Sequence, residues 1–341
     1  MPIIEPQIHE IEAAAFNCYK RGGGDGDALK DWVQAKRFVF IEKNYDVIAH
    51  HAFRDSTTKL LQNRSTRCCR YCRSIKPNSV EWKQTYPIPE IVGNKTILAI
   101  DECPACNAIF RSLEEELGCM LRLLQALDRI EEKKSVPSLL VLNGGSYTDE
   151  KREIIEVEEP ADSALQELDQ DSDTNDTDDE LVPFTPLAVY KCLTKMALAI
   201  MPPAYLSKFG HAIDWIKKRD HSVGAAEVAG AAKCRLIFQP GPMPMDCCHC
   251  TLLVRKSPDA LVPYMLFSLT MSNQTFQIMV PWTACDNHLV GQRFVMPEFP
   301  SYYGHGYKFG GPLATTLDLA SPVKIQIKAP RRLAKVAMLA N

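Results

Sequence analysis

The chain contains no apolar run approaching the roughly 18–20 residues that a membrane helix needs, so no helical membrane span is expected. A signal peptide is also lacking. The N-terminal MPIIEPQIHEIEAAAF carries acids where such a peptide would carry lysines and an apolar core. These two absences point to a soluble cytoplasmic protein. No internal repeat is visible, which excludes a solenoid. Basic residues are missing between Glu156 and Glu180, where twelve acids fall. Such a strip repels itself and buries little, so it reads as a disordered linker.

Cysteine is not scarce: there are thirteen. In a reducing compartment that number favours metal ligands and buried thiols over disulfides. The length of 341 residues and the charge distribution suggest separate parts. Residues 1–150 hold 20 basic and 21 acidic side chains, residues 151–184 hold 2 and 13, and residues 185–341 hold 17 and 8. A net positive C-terminal half points weakly to nucleic acid, or to a plain solvated surface.

The resulting division is a helical segment over 1–60, a zinc domain over 61–150, an acidic linker over 151–184, and a helical hairpin with β-rich tail over 185–341. Leu29, Trp32, Val33 and Ala35 are spaced for one buried helical face. ILAI reads as a short strand, and apolar residues from Leu113 to Ile130 recur every three or four positions, as on a helix. SVPSLLVLNGG and REIIEVE read as two strands. TPLAVYKCLTKMALAIMPP reads as a helix stopped by Pro202 and Pro203. Short alternating or apolar runs after Lys233 read as antiparallel strands. The fold class is α+β.

Two Cys-x-x-Cys pairs stand about thirty residues apart: Cys69 with Cys72, and Cys103 with Cys106. Four thiolates in two knuckles suit a closed, tetrahedral, structural Zn2+ site, which offsets the weak core of a small ββα unit. A closed site has no open position for water, so any chemistry must come from residues that the knuckles position. Cys68 is a spare. A second set, Cys247, Cys250, Cys285 and His288, has zinc-like spacing, with buried free thiols as the alternative. Asp169, Asp171, Asp173 and Glu180 imitate a calcium loop, but Thr174 stands where that loop needs glycine.

CRYC, IPEIVGN and DECPACNAIF, taken together, resemble the zinc-stabilised HNH endonucleases of the ββα-metal fold, in particular their bacterial branch. The similarity extends weakly to TPLAVYKCLTKMALAIMP and the β-rich tail, while residues 69–116 carry the specific motifs. The resemblance implies an N-terminal HNH-like domain and phosphodiester hydrolysis in DNA, with RNA as an alternative partner. In that family a histidine is the general base and one divalent ion, Mg2+ or Mn2+, bridges the scissile phosphate. Asn107 matches the family's metal-ligand asparagine, and Gly93 and Asn94 match its Gly-Asn, with Asn94 either a catalytic residue or one that orients a loop. The position of the histidine is taken by Tyr86. Gln84 and Thr85 stand where a carboxylate would serve a metal. A tyrosine titrates near 10 and is a poor base at neutral pH. Candidate substitutes are His50, His51, Glu90, Asp101 and Glu102. Arg70, Arg73 and Lys83 belong to a basic cluster around the first knuckle that could follow a phosphate backbone. Three readings follow: a weakened nuclease, a non-catalytic DNA-binding or sensing protein on the same scaffold, and a structural zinc module with its function in the C-terminal β region.

Overall fold

The segment PLAVYKCLTKMALAI is apolar around nearly its whole circumference, and all of its residues are buried. A helix of this kind must be covered on every side. The computed structural model describes residues 3–21, 28–53, 57–61, 68–75, 82–131, 183–239, 248–271, 273–281, 283–292, 294–300 and 313–325. The helices are α1 (Ile8–Arg21), α2 (Ala28–Asn44), α3 (Pro104–Glu131), α4 (Pro186–Ile200), α5 (Pro203–Leu206), α6 (Gly210–Ile216) and α7 (Ala225–Val228). The strands are β1 (Tyr45–Ala52), β2 (Lys59–Leu60), β3 (Ile97–Leu98), β4 (Lys233–Phe238), β5 (Cys248–Arg255), β6 (Met265–Met271), β7 (Gln274–Met279) and β8 (Leu313–Asp318). The protein is therefore α+β. None of the helices searched among the described residues is long and apolar enough to cross a membrane.

α4 starts at Pro186, where proline's fixed φ suits the first helical turn, and gives way at Pro202. It packs against α3 and α6 and against one face of a six-stranded antiparallel sheet ordered β1-β5-β6-β7-β4-β8. Alternation sorts the strand residues. Leu252, Val254, Met265, Phe267 and Leu269 join α4 in the main core. Leu253, Leu266 and Met279 point the other way, against Phe40, Ile41 and Tyr45 around the end of α2. With both faces covered, β5 and β6 read as nearly continuous apolar runs. Each fully buried Leu or Met of α4 contributes about 1.5–3 kcal/mol.

Two features depart from the expected division. The segment 1–60 carries α1 and α2 but also β1, which forms an edge of the C-terminal sheet through its pairing with β5. One core also runs through both halves. Phe53, Trp82, Ile88, Phe110 and Leu117 lie in the same cluster as Tyr190, Met196, Phe267 and Phe276. The physical reason is α4, which needs α3 as a cover. The expected strands around 135–145 and 152–158, the calcium-like loop and the acidic strip lie outside the described residues.

Around the knuckles the strands are minimal. β2 and β3 pair in parallel, and Thr85 bridges Ala99 antiparallel, with N–H to O distances of 2.9 and 2.8 Å. Between them, a 3-10 turn at Glu90–Val92 ends on Gly93, whose φ of 93° suits glycine. α3 follows five residues after Ala99.

Candidate functional site

The first knuckle closes through backbone bonds. Cys69 N–H donates to Ser74 O at 2.8 Å, Arg73 N–H donates to Cys69 O at 3.1 Å, and Cys68 bridges Ile75. Arg73 pays for this tight turn with a φ of 62°. Tyr71, at the knuckle tip, is buried edge-on against Phe110, 4.6 Å between ring centroids. The second knuckle is the start of α3. Cys103 precedes Pro104, and its Sγ accepts the Cys106 N–H at 3.4 Å, as a helix cap does. Sulfur there also gains from the positive end of the helix. Cys103 N–H points to Cys69 Sγ at 3.5 Å, tying one knuckle to the other.

The Sγ atoms of Cys69, Cys72, Cys103 and Cys106 all lie within 4.8 Å of one another. A tetrahedral metal with four bonds of about 2.3 Å requires sulfurs roughly 3.8 Å apart, so the set fits a metal site. Three of the four are buried and Cys72 is exposed. The Cys106 thiol, together with backbone N–H groups, holds the Cys69 thiol down to about 4, as befits a ready thiolate ligand, while the Cys106 thiol is pushed up. Cys68 stands outside the group and donates instead to Arg73 O.

Beside this centre lies an open cleft of about 460 Å³. One wall is the strand segment with Gln84, Thr85 and Tyr86, and the floor includes Pro89, Glu90 and Ile91. The other wall is a stripe of α3: Asn107, Arg111, Glu114, Glu115, Gly118 and Arg122. Tyr86 and Asn107 thus share one cleft. Tyr86 is half-buried and Asn107 exposed. The negative charge of Glu90, and then burial, raise the Tyr86 pKa.

The other expected residues are distributed differently. Asn94 is fully buried; its amide donates to Ile88 O at 2.7 Å and Ile97 O at 3.0 Å, and its Oδ1 accepts from the N–H groups of Thr96 and Ile97. It holds the 88–97 loop and does not face the cleft. Arg70, expected on a nucleic-acid surface, is buried. Its Nε bonds Asp101 at 2.8 Å, and its Nη1 bonds the carbonyls of Leu198 and Met201 at the end of α4. An arginine beside a buried carboxylate and a helix C-terminus is held by both, so this part of the basic cluster is structural. Arg73 and Lys83 are exposed.

Of the candidate substitutes for the histidine, only Glu90 lines the cleft. Asp101 is taken by Arg70, and burial raises its pKa. Glu102 is buried beside Lys195, and desolvation pushes its pKa up to about 7. His50 and His51 lie on β1, where His50 Nδ1 is 2.9 Å from Thr251 Oγ1 and His51 Nδ1 is 3.2 Å from Lys59 Nζ. The described members of the second expected metal set, Cys250, Cys285 and His288, do not converge. Among the described residues only the four knuckle cysteines converge. Burial pushes the Cys250 thiol up to about 12, and it donates to His51 O. His288 bonds Ala260 O at 3.0 Å, and Cys285 O accepts from Arg255. Cys247 lies outside the described residues.

The sequence reading missed Lys195. This buried α4 lysine bonds Glu114 at 3.0 Å and Tyr86 O at 3.3 Å, and sits 3.8 Å from Glu102. Burial opposes its charge, but the two glutamates outweigh that and raise its pKa. It fastens both cleft walls to the core. The cleft side of α3 was readable: Asn107, Arg111, Glu114, Gly118 and Arg122 recur every three or four residues.

No protein-family model, no curated protein and no solved structure matches this chain.

Proposed function

We propose that the chain is a zinc-stabilised nucleic-acid-binding protein on an HNH-like strand–strand–helix scaffold that has lost hydrolysis. The observation that carries this reading is the lining of the cleft. Tyr86 and Asn107, the positions to which the HNH resemblance assigns base and metal ligand, both line it, and no histidine is among its described lining residues. The antiparallel bridge at Thr85 and Ala99, followed by a helix bearing Asn107, supports the scaffold. A tyrosine must lose its proton to act as a base. Glu90 beside it makes that loss harder. The four soft thiolates suit Zn2+, which would close the fold and leave no position for water. A cytoplasmic location, where those thiols stay reduced, belongs to the same reading.

A second reading is a weakened nuclease dependent on Mg2+ or Mn2+. It is favoured by the Glu90 carboxylate, a hard oxygen ligand in the same cleft as Asn107. Gel retardation and plasmid nicking with either ion separate the two. The expected result is retardation without nicking, and nicking gained in Tyr86→His. Nicking by the unmodified protein that Asn107→Ala abolishes would overturn the first reading in favour of the second. Neither retardation nor nicking would sink both and leave a structural zinc module.

A further inference from the structure

We propose that the cleft seats one unpaired nucleobase of a single strand, stacked on Tyr86 and read at its edge by Gln84 and Asn107. This rests on the nucleic-acid-binding reading above and names the form of nucleic acid that the site takes.

The backbone sets up the face. In the extended segment Gln84, Thr85 and Tyr86, alternate side chains point the same way. Thr85 turns inward and is 7% exposed, leaving Gln84 and Tyr86 on the open side. Across the cleft, α3 presents the Asn107 amide. The floor offers apolar surface from Pro89 and Ile91 beside the Glu90 carboxylate. Gly118 permits that floor: a Cβ there would stand 2.6 Å from Ile91 Cδ1. An aromatic ring, apolar surface on the floor and two amides suit a flat heterocycle with a donor–acceptor edge. A volume of about 460 Å³ lies in the range of small-ligand sites, and a base reaches such a cleft only when withdrawn from its stack.

The charges agree with this. Glu114 is matched by Lys195 at 3.0 Å and Glu115 by Arg111 at 3.6 Å. Arg122 adds a guanidinium to the same wall, suited to a strand phosphate. Glu90 adds a carboxylate to the same cleft. A carboxylate accepts from an exocyclic base amine, so guanine, adenine and cytosine should be preferred to thymine or uracil.

The test uses the full zinc-loaded chain. Its probes are a fluorescent mixed-sequence single strand, the same sequence as blunt duplex, a thymine-only strand, and nucleoside monophosphates as competitors. The single strand should bind at least about tenfold tighter than the duplex and tighter than the thymine-only strand. Tyr86→Ala should weaken single-strand binding by about fivefold or more, the scale of one base–aromatic stack, while Tyr86→Trp retains it. A 2-aminopurine in the strand should be quenched by the unmodified protein and not by Tyr86→Ala; thermal melts check that each variant is folded. Equal binding of duplex, or single-strand binding indifferent to Tyr86→Ala, would overturn the inference and leave the nucleic-acid reading standing. Monophosphates that bind as tightly as the strand would overturn the strand assignment. Failure to bind any nucleic acid would remove the parent reading as well.

Discussion

Replacing Asn94 with alanine separates a structural from a chemical role at a position where the HNH resemblance expects function. The side chain makes four bonds inside a loop between two buried residues, Ile88 and Ile97. Each such bond contributes about 1 kcal/mol net, and a buried carbonyl or N–H left without a partner costs about 1–3 kcal/mol. Some of the freed groups will find water as the loop relaxes. The expected loss is therefore about 3–5 kcal/mol, a large part of the roughly 5–15 kcal/mol that holds a domain together. Asn94→Asp keeps the acceptor but loses both donated bonds and buries a charge, so it should do no better. Urea unfolding followed by tryptophan fluorescence is the assay, since Trp82 lies in the core beside this loop. A loss below about 1 kcal/mol, combined with a clear fall in nucleic-acid binding, would refute the structural assignment.

Arg73→Gly removes a left-handed strain of about 1–2 kcal/mol at the price of backbone entropy, so it should stabilise the protein by about 0.5 kcal/mol in thermal or urea unfolding. Lys195→Met leaves Glu102 buried without its cation and should cost about 3–5 kcal/mol, and adding Glu102→Gln should recover much of it in a double-mutant cycle. Burial, with the nearby His50, lowers the His249 pKa to about 4. The unfolded chain therefore binds the extra proton first, below pH 6.5, and stability falls as pH drops from about 6.5 towards about 4. The His249 contribution reaches about 3 kcal/mol at the acid end, and His249→Phe should flatten that slope in urea titrations at stepped pH.

The parts of this fold that were legible were local. Spacing alone paired the four cysteines, because each Cys-x-x-Cys fixes two ligands within one turn of chain. Periodicity placed α3 and α4, and Pro202 and Pro203 marked where α4 stops. Several departures were matters of distant partners. Arg70 looked like a surface charge because Asp101 and the α4 carbonyls that hold it lie 31 and 128 or more residues away. YDVIAHHA gave no sign that its partner strand is CHCTLLVR, some two hundred residues on. Lys195, inside an apolar helix, gave no hint that two glutamates would neutralise it. The same gap hid the cleft, whose two walls Lys195 joins through Tyr86 O and Glu114.

The claim beneath every other one is that a metal closes the four-cysteine centre and so fixes the cleft beside it. Metal analysis together with X-ray absorption on the purified chain tests it most directly. The account predicts one zinc per chain with four sulfur neighbours at about 2.3 Å, and loss of Cys103→Ser protein from the metal-loaded pool. A stoichiometrically metal-free, folded protein, or zinc bound by mixed nitrogen and oxygen ligands, would contradict it.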